Sequence, residues 1–287
     1  MIALISTCNE GYKLFDCLSK LRELNIRTLA LNDGFLDMPT SELLKSFSVE
    51  CYEFNKIGCK EPHLAEFFSS QIITENILHL DYDEILSDDL LEEIRQIKYK
   101  DLPILYAVNM EHQLTKEGSL PLRYKKNSTR SSKVILFHPS FIASIVGLPH
   151  KGFTFSRKPL FLDSILFHTG NHLSYNLKTL IQRDKKFAQL DAALRCKKIY
   201  YFDQNSRGNF LLPRDGRLKK IDSLRFKYPI FLYVFCLLYR GIQSILWLCE
   251  SRNWITFKYE SKVFISRMAY QIYLMNEIIS IKYFRKK

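Results

Sequence analysis

A chain of 287 residues that is 47% hydrophobic and 14% aromatic has ample material for one large domain, or a medium domain with an appendage, which excludes disorder. Its seven cysteines form no C-x-x-C pair and lie in apolar segments, which excludes a disulfide framework and a zinc ribbon and fits a reducing compartment. The net charge of +12 is segregated: residues 216–287 hold 14 Lys and Arg against 4 acids, so +10 of it belongs to an apolar tail and a nucleic-acid-binding body is disfavoured.

The first segment, IALIST, reads as a strand, and the absence of a basic stretch before it argues against a signal peptide, so a cytoplasmic protein is expected. Leu14, Cys17, Leu18, Leu21 and Leu24 then recur at helical spacing. IRTLAL is a second strand, NDGFLDMP a turn, and TSELLKSF a short helix with Thr40 or Ser41 at its N-cap. VECYEF, ILHLDY and LPILYAVNM are further strands, separated by helices at HLAEFFSSQIIT and DDLLEEIRQI. Strict alternation of strand and helix predicts a parallel sheet covered on both faces, which binds ligands beyond the carboxyl ends of its strands.

Three of those ends are polar: Ser6-Thr7-Cys8-Asn9-Glu10-Gly11, Asn32-Asp33-Gly34 and Asp81-Tyr82-Asp83-Glu84. Asp88, Asp89, Glu92 and Glu93 are what the first turns of a helix prefer on capping and dipole grounds. Asp81 and Asp83 differ, because alternate residues of a strand end point the same way and paired carboxylates repel unless a cation lies between them. A divalent ion with oxygen ligands is the simplest candidate.

STCNEG, NDGFLDMPTSELL and above all ILHLDYDEILSDDLLEEI resemble the corresponding stretches of family 2 glycosyltransferases of the GT-A fold, in particular bacterial enzymes that add sugars to the lipopolysaccharide core. KVILFHPSF, GLPHKG and LFHTGNHLSYNLKTLIQRDKKFAQ extend the likeness over roughly residues 2–195. The resemblance implies an α/β fold with a Rossmann-like, mostly parallel sheet and helices on both faces over residues 1–215, followed by a helical tail at 216–287. It implies a nucleotide-sugar donor, a UDP-sugar favoured, held by Ser6, Thr7, Asn9, Glu10, Asp33, Gly34, Asp81 and Tyr82. It also implies Mg²⁺ or Mn²⁺ on the Asp-x-Asp motif, with Asp83 the direct ligand, Asp81 on the ribose or on the metal through water, and His168 a third ligand or a phosphate contact.

Inverting transfer needs a carboxylate to take the acceptor's proton. The resembling enzymes often carry His-Glu where this chain has His150-Lys151, so either the base lies elsewhere, with Glu111, Glu117 and Asp163 as candidates, or that turn plays another role. The Arg-Asn pair common in the third helix is replaced around Ala65-Glu66.

In the tail, residues 229–249 contain no acid, and Tyr233, Cys236, Arg240, Gln243, Ser244 and Trp247 share one helical face. Arg240 near the centre of a spanning helix would cost about 2.5–3.5 kcal/mol, so an interfacial helix is expected. Residues 262–284 place Phe264, Met268, Ile272, Met275 and Ile279 on one face, and both stretches are expected to meet an anionic membrane surface. The expected function is therefore metal-dependent sugar transfer to a lipid-linked saccharide, with the enzyme peripheral on the cytoplasmic face of the inner membrane. Packing of both helices on the folded body is the alternative for the tail. A nucleotidyltransferase is disfavoured by a first loop, CNEGYK, with only one Gly and one Lys, and a non-catalytic nucleic-acid-binding or scaffold protein by the segregated charge.

Overall fold

The structure, a computed structural model, describes residues 1–97, 102–113, 121–122, 124, 131–149, 151–169, 176–197, 200–205, 209–211 and 227–283. Glu117, His150 and the boundary at 215/216 lie outside them.

The N-terminal half alternates as its apolar periods predict: β1 (Ile2–Thr7), α1 (Phe15–Leu24), β2 (Arg27–Asp33), α2 (Met38–Ser46), β3 (Glu50–Phe54), α3 (Glu61–Ser70), β4 (Ile77–Asp81), β5 (Glu84–Leu86) and α4 (Asp88–Ile97). Strands then dominate, with β6 (Leu105–Gln113), β7 (Pro121–Leu122), β8 (Ser132–Phe137), β9 (Ile142–Val146), β10 (Gly152–Phe155) and β11 (Leu160–His168). The chain continues through α5 (Leu177–Lys197), β12 (Tyr201–Gln204), β13 (Phe210–Leu211), α6 (Pro229–Cys249) and α7 (Trp254–Tyr283).

The large sheet has the order β3-β2-β1-β4-β8-β6-β11-β5, with β7 on β6, and a small sheet has the order β10-β9-β12-β13. In the main path β8 and β5 run against the other six strands. This is the Rossmann-like, mostly parallel sheet that the resemblance implies. The strict alternation expected from the sequence ends at α4, because β8 inserts antiparallel between β4 and β6 and needs no crossover helix. β1 shows why its sequence is apolar throughout: Ala3 and Ile5 join the core under α1 and α4, while Ile2 and Leu4 join the opposite core with Leu64, Phe67 and Phe68 of α3.

Two local expectations change. The N-cap of α2 is Asp37, whose side chain accepts from the Thr40 amide at 2.9 Å, and Pro39 sits in the first turn. Thr40 is buried instead, its Oγ1 accepting from the Gly11 amide at 3.0 Å and so tying the β1–α1 turn to α2.

The C-terminal helices pack on the body. Ser266 donates to Asp184 and Tyr270 to Asp191, each at 2.6 Å, and Leu274, Met275 and Ile278 fill the space beside Ala188 and Ala192 of α5. Tyr259 and Val263 cluster with Leu122 and Leu180, and Tyr124 donates to the buried Glu260 at 2.5 Å. Of the apolar face expected for α7, Met275 is buried and Ile272 is exposed, because the small side chains of α5 receive a different face. On α6 the polar face turns inward: Ser244 is buried, Arg240 donates to Gln243 at 2.6 Å, and Arg267 of α7 lies 3.9 Å above the Trp247 ring. Phe235, Leu238, Tyr239, Ile242, Ile245 and Leu246 are each more than half exposed, a stripe at helical spacing. Among the described residues, no helix is long and apolar enough to cross a membrane.

Candidate active site

One rim of the large sheet gathers the ends of β1, β2, β4, β6 and β11, the start of the antiparallel β8 and the N-terminus of α3. β4 stops at Asp81, and Tyr82 and Asp83 form a turn into β5, so the two aspartates are not held side by side as alternate strand positions would be. Each has its own surroundings.

Asp81 faces two ammonium groups. Its Oδ2 accepts from Lys60, just before α3, and from Lys133, at the start of β8, the latter at 3.3 Å. Lys133 also donates to Glu84 Oε2 at 2.5 Å, and the same oxygen accepts from the Asp81 amide at 2.7 Å. Burial works to raise the Asp81 carboxyl, but Lys133 and Lys60 outweigh it and hold it well below the usual carboxylate range. Glu84 is pushed up by burial, which Lys133 opposes. Lys60 and Lys133 thus place positive charge beside Asp81. Asp81 Oδ1 is buried without a hydrogen-bond partner.

Asp83 faces histidine. His168 Nε2 lies 3.5 Å from Asp83 Oδ2, and His168 Nδ1 is 2.9 Å from His112 Nδ1 at the end of β6. Thr169 holds the Asp83 carbonyl through its amide at 2.9 Å and its hydroxyl at 3.2 Å. Burial lowers the His168 pKa, but the carboxylates of Asp83, Glu84 and Asp81 together raise it above the ordinary imidazole value.

On the other side, Glu10 accepts from Thr7 Oγ1 and the Cys8 amide, and burial raises its carboxyl. Asn9, at a φ of 60°, accepts from Asn32 Nδ2 at 3.1 Å and donates to the Phe35 carbonyl at 2.7 Å. Asp33 is buried, with Oδ1 taking the Ile57 amide at 2.6 Å and His63 at 2.8 Å, and Oδ2 taking the Gly58 amide at 2.7 Å. It therefore holds the loop between β3 and α3. Gly34, at a φ of 113°, follows it. Ser6 turns inward, 3.4 Å from His79, and its carbonyl accepts from the Tyr82 amide at 3.2 Å.

Thr7, Asn9, Glu10, Asp33, Gly34, Asp81, Tyr82, Asp83 and His168 thus share the rim. The candidate bases separate. Asp163 is exposed, five positions before His168 on β11 and so roughly 16 Å away along an extended strand, where its amide meets Glu93 of α4. Glu111 reaches the end of β6, but strand alternation sends it to the face opposite His112. Lys60, Lys133, His63 and His112 were missed. Rim logic applied to the end of β3 would have found Lys60, whereas Lys133 requires knowing that an antiparallel strand begins at this rim.

Among the described residues, no three His, Cys, Asp or Glu side chains cluster so as to hold a metal ion alone. Asp83 and His168 are two donors of the kinds that Mg²⁺ or Mn²⁺ accepts, ions that take one or two carboxylates and complete their shell with substrate phosphates.

No family model and no curated protein matches the chain. Among solved structures it is similar to residues 1–349 of S. aureus TarS, at 10% identity and a TM-score of 0.39, covering 98% of this chain and 91% of that one. A longer TarS structure is similar at 9% identity and a TM-score of 0.38, covering 97% of this chain and 55% of that one. 4-diphosphocytidyl-2C-methyl-D-erythritol synthase is similar at 16% identity and a TM-score of 0.31, covering 48% of this chain and 74% of that one. At these TM-scores no residue role is carried across.

Proposed function

We propose that this chain is a metal-dependent, inverting glycosyltransferase that moves a sugar from a nucleotide-sugar donor, a UDP-sugar by preference, to a lipid-linked saccharide such as the lipopolysaccharide core. The observation that carries this is the gathering of carboxylates at the rim: Asp81 meets Lys60 and Lys133, Glu84 meets Lys133, and Asp83 lies 3.5 Å from His168. Carboxylates collected at the carboxyl ends of parallel strands suit a divalent cation carried with a phosphate ligand. Asp83 and His168 would hold Mg²⁺ or Mn²⁺. When bound, the ion would act as a Lewis acid and neutralise charge gathering on the leaving diphosphate. Thr7, Asn9, Glu10 and the loop held by Asp33 border the place for the nucleoside.

The tail supports an acceptor at a membrane surface. An apolar stripe of about 18 Å on α6, from Val234 to Leu246, faces outward, while the surrounding sequence carries most of the positive charge. Trp254 stacks on Phe257 at 5.5 Å, and exposed Arg252 and Lys258 flank them. Aromatic and basic groups of this kind suit the headgroup region of anionic lipids, which fits a peripheral enzyme on the cytoplasmic face of the inner membrane.

The test is a reaction with a panel of nucleotide sugars and a lipid extract, read by mass spectrometry, beside calorimetry of UDP. A sugar-sized mass gain on a lipid-linked saccharide, with UDP binding that weakens in EDTA, is expected. Equal UDP affinity with and without EDTA would remove the metal from this proposal.

A further inference from the structure

Resting on the donor site proposed above, we infer that Lys60 and Lys133 form a diphosphate subsite: two ammonium groups that turn from Asp81 and Glu84 onto the phosphate oxygens of a nucleoside diphosphate. Both come from different elements yet meet at one carboxylate oxygen, Asp81 Oδ2, while Oδ1 of the same group takes neither. Their side chains are 33% and 17% exposed beside a Glu84 side chain exposed by only 3%, so the cations reach solvent while the acid that orients them does not. An ammonium has three N–H donors. Lys60 uses one on Asp81 and Lys133 one each on Asp81 and Glu84, which leaves two and one for a ligand.

The lysine stem is flexible and its head a compact charge, suited to following a phosphate from ground state to leaving group. Without a ligand, Asp81 and Glu84 hold both lysines at the rim. A donor's diphosphate would replace those contacts, and Asp81 would then be released toward the divalent ion.

The experiment is calorimetry of UDP and of inorganic pyrophosphate with wild type, Lys60→Met and Lys133→Met, in magnesium and in EDTA, with melting followed in parallel. Each variant is expected to lose about tenfold or more in affinity for UDP, with the greater loss in EDTA, where lysines are the remaining cations. Lys133→Arg is expected to retain much of it. UDP affinities within about twofold of wild type in both conditions would overturn the subsite and leave the donor standing. Pyrophosphate bound through these lysines by a protein that ignores every nucleotide would keep the subsite and overturn the donor. Wild type that binds neither would overturn both. A measurement on wild type removes any dependence on variant folding: saturating UDP should slow reductive methylation of Lys60 and Lys133 but not of exposed Lys45. Unchanged methylation rates at Lys60 and Lys133 would overturn the proposal.

Discussion

The sheet rim and the α6 helix break opposite rules of burial. At the rim, charged side chains are packed into a largely buried cluster, where Asp81, Lys60, Lys133 and Glu84 compensate one another. On α6, apolar side chains stand in solvent while Arg240, Gln243 and Ser244 face the body. Neither arrangement adds to stability: a hydrophobic cluster at the rim and a polar stripe on the helix would each be at least as good. Local conflicts of this kind concentrate where a protein meets a ligand or a surface. The comparison is the ground on which we propose chemistry at the rim and attachment at the tail, and each proposal can be broken separately.

The largest effect is expected at Asp83. Asp83→Ala removes the proposed ligand partner of His168, and transfer should fall by about 10²–10³-fold or more while attachment to vesicles stays unchanged. Transfer rates measured with a detergent-solubilised acceptor check this. A variant with ordinary turnover would move the chemistry away from this rim.

On α6, Leu238→Glu and Ile242→Glu place charge in the exposed stripe without touching the body. Each side chain withdrawn from an apolar phase forfeits about 1.5–3 kcal/mol, so vesicle binding should weaken by about tenfold or more per change. UDP affinity should not move. Sedimentation with vesicles of varied anionic content provides the measurement, and salt should reduce binding only in part. Wild-type protein that ignores vesicles of every composition would make the stripe a contact for another protein. Deleting everything after Arg214 is a poorer test, since it would uncover Asp184, Asp191 and the alanine face of α5.

A smaller effect, and one of a different kind, is expected at Asp33. Its carboxylate satisfies two amides and His63 inside the protein, so Asp33→Ala should cost about 2 kcal/mol or more of stability in addition to weakening UDP binding. The sequence alone suggests the reverse balance, a loss of nucleoside with little change in melting. Calorimetry and thermal melts on one sample compare the two losses.

The contrast between the regions also explains what could be read in the sequence. Alternation of period through β1, α1, β2 and α2 is a local property, and the rim residues Thr7, Asn9, Asp33, Asp81 and Asp83 follow from it once parallel strands are granted. The polar face of α6 was legible for the same reason, but its direction was not, because that depends on Trp247 meeting Arg267 of another helix. Lys60 and Lys133 lie 73 positions apart and meet only through the antiparallel insertion of β8, which no short-range pattern encodes. The face of α7 was misread because that helix is apolar on several sides, and Ala188 and Ala192 of α5 decide which side is buried.

The smallest effect tests whether the tail and the body are one cooperative unit. Ser266 on α7 donates to Asp184 of α5 at 2.6 Å, and both side chains are buried. Arg183 contacts the other oxygen of Asp184 at 3.2 Å, so Ser266→Ala withdraws one bond from a carboxylate that keeps a second partner. A loss of about 1 kcal/mol is expected. The two tryptophans, Trp247 and Trp254, both lie in the tail helices, so fluorescence reports on that region alone. Hydrogen exchange at the central strand β1 reports on the body. If α7 is an integral layer on α5, urea unfolding followed by fluorescence and by β1 exchange should give one midpoint in wild type and one common shift in Ser266→Ala. A shift confined to fluorescence, with β1 protection unchanged, would show the tail to be a separable attachment that undocks from the body at the membrane.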